Sequence, residues 1–222
     1  DEIVKDDQII EIVDHHCGYE DYWKEKLKNN LHIEQIGSIA TLIFEKYEKE
    51  NMTHNISIGM AKLLLAAILD NTLDLKAKIT TKRDIDAYKK LLKIAKVEFD
   101  FNEIYFKECQ EKIQENIEDA VKNDTKIDIE SCILPSIFSQ LLLWDAKEIL
   151  EDRRIYETLN SFGEKWMINL ISIKDETSYI VSENNCVKKN LERLFHNTFD
   201  KNIMNLHQIL LRKEIIKKAL IS

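Results

Sequence analysis

The stretch Ile9-Ile10-Glu11-Ile12-Val13-Asp14-His15-His16 constrains this chain more than any other. Four β-prone aliphatics around one Glu predict a short, mostly buried strand over 9–13 that ends in an acid and two imidazoles. Ligands of open α/β sheets collect beyond the carboxyl ends of strands. Successive side chains on extended backbone point to opposite sides, so one His can hold a metal while its neighbour faces a substrate. An isolated Asp-His-His fits equally well in a polar loop with one buried, hydrogen-bonded His.

The rest of the chain reads as helices and short strands, in keeping with only 4 Gly and 1 Pro among 222 residues. That length suits one large domain or two small ones. Apolar residues at 44% and charged residues at 32% make a globular rather than a disordered composition. A formal net charge of −8 argues against nucleic acid as a partner. It leaves room for a small anionic substrate where a few cations or metal ions converge. Cys17, Cys109, Cys132 and Cys186 show no CxxC pair and no zinc spacing. They read as reduced, mostly buried thiols of a cytoplasmic protein, with Cys17 a candidate third soft ligand beside the His pair. The longest clean apolar run, 63–69, is too short to span a bilayer, and nothing reads as a signal peptide, so no membrane role is expected.

Apolar residues at spacings of three and four predict helices over 31–50, 57–69 and 101–121. The second of these is apolar almost all round and is expected to be buried. Gly37-Ser38, near the start of the first, could offer backbone N–H groups to an anion or merely permit close packing. Asp70 follows a helix end, where the macrodipole disfavours an acid; a metal ion or Lys76 or Lys78 would compensate. Thr81 and Asp84 have the spacing of an N-cap and its capping-box partner, which makes Asp84 a cap rather than a ligand, with the helix running to about Lys96. Beyond a boundary at 122–125, strands are expected over 127–137, 138–144, 166–173, 179–181 and 206–211. Helices are expected over 145–160 and 184–195 and in a short segment after Arg212-Lys213.

Three segments now line up in order: Val13-Asp14-His15-His16, Ile36-Gly37-Ser38-Ile39-Ala40-Thr41-Leu42, and Ala67-Ile68-Leu69-Asp70-Asn71-Thr72-Leu73. Arg212-Lys213 closes the set. Together they resemble the DHH phosphoesterase superfamily, on the branch of family II manganese pyrophosphatases, yeast-type exopolyphosphatases and prune proteins. The second and third segments look more like the exopolyphosphatase and prune side. The resemblance implies an α/β architecture: a partial parallel-sheet DHH domain over 1–122, then a smaller mixed α/β DHHA2-like substrate-binding domain over 123–222, with the cleft between them. It implies His15 as a metal ligand, His16 as a substrate-phosphate contact and Asp14 behind them. Asp70 matches the later metal ligand, unless the register places Asn71 there. Lys126, Arg212 and Lys213 match phosphate-binding cations. Mn²⁺ or Mg²⁺ would be the cofactor, and inorganic polyphosphate or pyrophosphate the substrate.

The match also departs from the family. Its acid-rich motifs lie upstream of the His pair, where only 13 residues precede Asp14, and the chain starts without Met. Asp84-Ile85-Asp86 is the nearest acid-x-acid pattern but comes at the wrong point in the order. Leu211 stands where pyrophosphatases commonly carry Ser. Upstream residues are therefore expected, with a two-ion site only if they supply ligands. The alternative is a catalytically degenerate member acting as a binding or regulatory partner in a larger assembly. A nuclease or cyclic-dinucleotide hydrolase of the wider superfamily fits less well, because no glycines cluster.

Overall fold

A computed structural model describes residues 4–16, 18–98 and 100–221, so the reading placed on Cys17 lies outside the described residues. By internal contacts the chain divides into two units, Asp1–Asn102 and Glu103–Ser222. Residues 103–122, which the sequence pattern groups with the first domain, group with the second unit. The architecture is mixed α/β, with a parallel strand pair in the first unit and a mixed sheet in the second.

In the first unit β1 (Ile12–Asp14) pairs in parallel with β2 (Leu31–Ile33), Val13 facing His32. Helix α1 (Glu20–Leu27) connects them. The first strand is shorter and less buried than its sequence suggests, with Ile10 79% exposed, because among the described residues only β2 pairs with it. The helix expected over 31–50 begins only at α2 (Ile39–Lys49). Residues 31–33 are taken by strand pairing, and the Ser38 hydroxyl accepts the Ala40 N–H at 3.3 Å as its cap. Helix α3 (Ile58–Thr72) starts on a Ser57 cap and α4 (Lys82–Ala95) on the expected Thr81–Asp84 capping box. The three helices bury Phe44, Leu65, Ile68, Ala87 and Leu91 in one core. α3 is not buried all round, however, since Leu63 is 74% exposed.

The second unit is a three-layer stack. Its sheet runs in the order β3 (Ile137–Leu143), β4 (Trp166–Ser172), β5 (Thr177–Val181), β6 (Ile203–Asn205). β3 and β4 are parallel and the remaining pairs antiparallel. Alternation along the strands splits the core. Leu141, Leu143, Trp166, Ile168 and Leu170 meet Ile117 and Val121 from α6 (Ile117–Asn123) and Ile155 and Leu159 from α7 (Arg153–Phe162). Phe138, Met167 and Ile180 meet Leu191 from α8 (Asn185–Phe195) and Ile215 from α9 (Arg212–Ile221). The expected helix over 101–121 is two helices, α5 (Phe101–Glu115) and α6, broken at Asn116.

Three expectations fail here for local reasons. Residues 127–136 are no strand, because the chain doubles back: Lys126 and Phe138 exchange backbone hydrogen bonds at 2.9 Å, and Ile129 N–H reaches Ser136 O. Residues 206–211 leave the sheet at His207, whose φ of 52° breaks extended backbone. The helix expected from 145 starts at Arg153, on an Asp152 cap, after a single 3₁₀ turn over 146–148. Cys132 and Cys186 are exposed rather than buried. Among the described residues no helix is long and apolar enough to cross a membrane.

Candidate functional site

β1 ends where its sequence suggests a ligand site, and one carboxylate oxygen organises it. Asp14 Oδ1 accepts the backbone N–H groups of His15 (2.6 Å) and His16 (3.1 Å) and the Nδ1–H of His16 (2.8 Å). Partial burial opposes the charge on Asp14, but these donors outweigh it and hold the carboxyl below the usual carboxylate range. His15 Nδ1 lies 3.2 Å from the Ile36 carbonyl oxygen. A carbonyl and a carboxylate only accept, so both rings donate from Nδ1, and each neutral ring keeps its lone pair on Nε2. The rings stand edge to face, 4.4 Å apart and 86° between planes. Asp14, His15 and His16 each bring one ligand atom within 4.8 Å of the others. Mixed imidazole and carboxylate donors can hold a divalent first-row cation, Mn²⁺ among them. Carbonyl and carboxylate partners on Nδ1 are the supports metal-binding imidazoles use.

The loop that anchors His15 is fixed from behind by an internal anion. Asp84 is fully buried. It accepts Gly37 N–H (3.1 Å), Ser38 N–H (3.2 Å), the Thr41 hydroxyl (2.7 Å), and the N–H (2.8 Å) and hydroxyl (2.7 Å) of Thr81. The Gly37-Ser38 amides thus do receive an anion, and it is this side chain. Gly37 also permits the close approach: a Cβ there would lie 2.8 Å from both Asp84 Oδ2 and Thr72 Cγ2. Gly37→Ala is therefore expected to cost about 1–3 kcal/mol, measured by urea unfolding; a neutral result would mean that the loop shifts freely. Asp86 is exposed and takes no part in this cluster.

Asp70 is exposed on the last turn of α3. Its helix is tied to the same loop, since the Ala67 carbonyl accepts both the Ser38 hydroxyl (3.2 Å) and the Asn71 side-chain amide (2.9 Å). In the second unit Arg212 opens α9 and is half-buried. Its guanidinium donates to the carbonyls of Asp124 (2.5 Å) and Phe138 (3.2 Å) and to the Asp124 carboxylate. Because Lys126 pairs its backbone with Phe138, Arg212 and Lys126 meet at one residue of β3; the Lys126 and Lys213 side chains are exposed. The sequence reading missed Asp124 and the Ile36 carbonyl. It also passed over Gln140, Asn169 and Ser178, polar residues on the buried face of three neighbouring strands, although their alternation with aliphatics was visible.

The parallel strand ending in Asp-His-His and, within the second unit, the basic start of α9 are the features on which the sequence resembles the DHH phosphoesterases. No family model matches the sequence. A Bacillus pumilus protein named as a manganese-dependent inorganic pyrophosphatase is 25% identical over 221 residues, covering 96% of this chain and 70% of the relative. Proteins of the same name match shorter stretches: 33% identity in Bacillus velezensis, over 43% of this chain and 29% of the relative, and 29% identity in an Exiguobacterium species, over 55% and 39%. A Methanococcus jannaschii protein assigned to the family II inorganic pyrophosphatases shares the fold, with a TM-score of 0.66 and 22% identity over 96% of this chain and 74% of that one. The chain is thus similar in sequence to proteins named as manganese-dependent inorganic pyrophosphatases, and it has the fold of the family II structure.

Proposed function

We propose that the protein is a metal-dependent phosphoanhydride hydrolase acting on pyrophosphate or inorganic polyphosphate in the cytoplasm. The Asp14–His15–His16 cluster, with both Nε2 atoms turned away from their hydrogen-bonded partners, carries this reading. The manganese-dependent pyrophosphatase names of its relatives support it. His15 and Asp70 are assigned to a divalent cation, Mn²⁺ in the first instance, and Asp14 to holding His16 in orientation. The cation, when bound, supplies Lewis acidity and neutralises phosphate charge. His16 contacts the substrate phosphate and can hand it a proton or receive one at Nε2. Arg212 offers a planar fork to phosphate oxygens, and Lys213 and Lys126 offer point charges.

Phosphate release from pyrophosphate and tripolyphosphate, with Mn²⁺ or Mg²⁺ and then with chelator, tests the proposal. The native chain is expected to turn over, and Asp70→Ala to lose at least about tenfold. Equal rates for the two would overturn it. A second reading, a binding or regulatory protein, draws support from the Arg212 guanidinium, which is engaged by Asp124 and Phe138 within its own unit. That reading expects cation and pyrophosphate binding without phosphate release.

A further inference from the structure

We propose that Gln140 and Asn169 are positioning residues for the phosphate grip of Arg212 and Lys213. This rests on the function proposed above and adds to it a polar device inside the second unit. Gln140 and Asn169 face each other across β3 and β4, on the side of the sheet that also carries the apolar core residues Phe138, Met167 and Ile180. Asn169 is fully buried and its Oδ1 has no hydrogen-bond partner among the described residues. An aliphatic residue in its place would be buried at no such cost, so the amide is expected to serve something besides packing.

What it serves is the entry to α9. Asn169 Nδ2 donates to the Leu210 carbonyl at 2.7 Å and to Gln140 Oε1 at 3.2 Å. The same Gln140 oxygen accepts the Arg212 backbone N–H at 2.6 Å. Ser178 completes the cradle: its hydroxyl donates to the Leu210 carbonyl (3.2 Å) and accepts the Leu210 N–H (3.0 Å). Arg212 is thereby held twice by one strand, its backbone by Gln140 and its guanidinium by the Phe138 carbonyl two residues earlier. Lys213 follows directly, with no side-chain partner among the described residues. β3 thus acts as a ruler that sets where both cations stand. The plainer account is that these amides only satisfy backbone groups where the chain leaves β6. It predicts no effect on phosphate affinity once folding is corrected for.

Calorimetric titration of the full chain with pyrophosphate separates the two accounts. Gln140→Met keeps the volume and removes the acceptor. It is expected to weaken Kd about tenfold at unchanged stoichiometry, because a mispositioned grip binds everywhere but poorly. A purely structural role would lower the stoichiometry through loss of folded protein and leave Kd unmoved, which would overturn the proposal. Gln140→Ala, with the same expectation, guards against an idiosyncrasy of the methionine. Lys213→Ala calibrates the site. If the native chain binds pyrophosphate and Lys213→Ala weakens it while both Gln140 variants do not, positioning alone falls. If the native chain has no affinity for pyrophosphate, the function reading falls and the positioning claim falls with it.

Discussion

Asp84→Ala is expected to destabilise the first unit by about 3–5 kcal/mol, a large share of the ~5–15 kcal/mol that holds a typical domain together. The substitution leaves five donors around a fully buried space. The Thr41 and Thr81 hydroxyls can rotate toward other acceptors, but the N–H groups of Gly37, Ser38 and Thr81 are fixed by the backbone. Asp84→Asn should restore little, because either orientation of the amide sets an –NH₂ against donors at one of the two oxygen positions. Urea unfolding followed at Trp23, the only tryptophan among residues 1–102, gives the measurement. An Ala variant within about 1 kcal/mol of native would show that the cluster is incidental.

The same carboxylate sets an acid limit. Burial opposes its ionisation, yet the hydroxyls and amides of Thr81, Thr41 and Gly37 bring its pKa below the ordinary value. The stability this contributes is present above the unfolded carboxylate pKa of about 3.9 and is lost as pH falls through the lower folded value. The native first unit should therefore weaken as pH drops below about 4. Asp84→Ala should lack that component of the acid dependence.

How much of this was legible in the sequence varies with the reach of the interaction. Capping is local, and Thr81 and Asp84 stand where their spacing places them. Buried strands rich in apolar residues, β4 above all, were equally plain. What a linear pattern does not carry is tertiary choice. Residues 31–33 have neighbours that suit a helix and become strand only because β1 lies beside them. Residues 206–211 are aliphatic enough for a strand but begin with a turn at His207. Asp84 was readable as a cap; that its second oxygen serves Ser38 and Thr41 on another helix was not, since the partners lie more than forty residues away. The Asp-His-His motif was visible, whereas the tautomer of each ring followed only once Ile36 and Asp14 were seen to accept from them.

His15→Ala should lower Mn²⁺ affinity at least about 100-fold, more than loss of a supporting group costs, as read by the electron paramagnetic resonance of free Mn²⁺. His15 Nδ1 is spoken for by the Ile36 carbonyl, and that loop is clamped by Asp84 from behind. Its Nε2 is therefore presented by a rigid mount, which is what an efficient ligand requires. His16 is mounted on the Asp14 carboxylate and is far more exposed, with 72% of its side chain open to solvent, which suits a group that meets substrate. His16→Ala should accordingly keep Mn²⁺ affinity within about tenfold and raise the KM for pyrophosphate instead. The opposite pattern, with the cation lost in His16→Ala and retained in His15→Ala, would exchange the two roles. Asp14→Asn separates the cases further. It retains an oxygen for the two backbone N–H groups but gives up the charge that supports the His16 ring. Its expected effect therefore follows His16→Ala on pyrophosphate and leaves the His15–Ile36 mount intact.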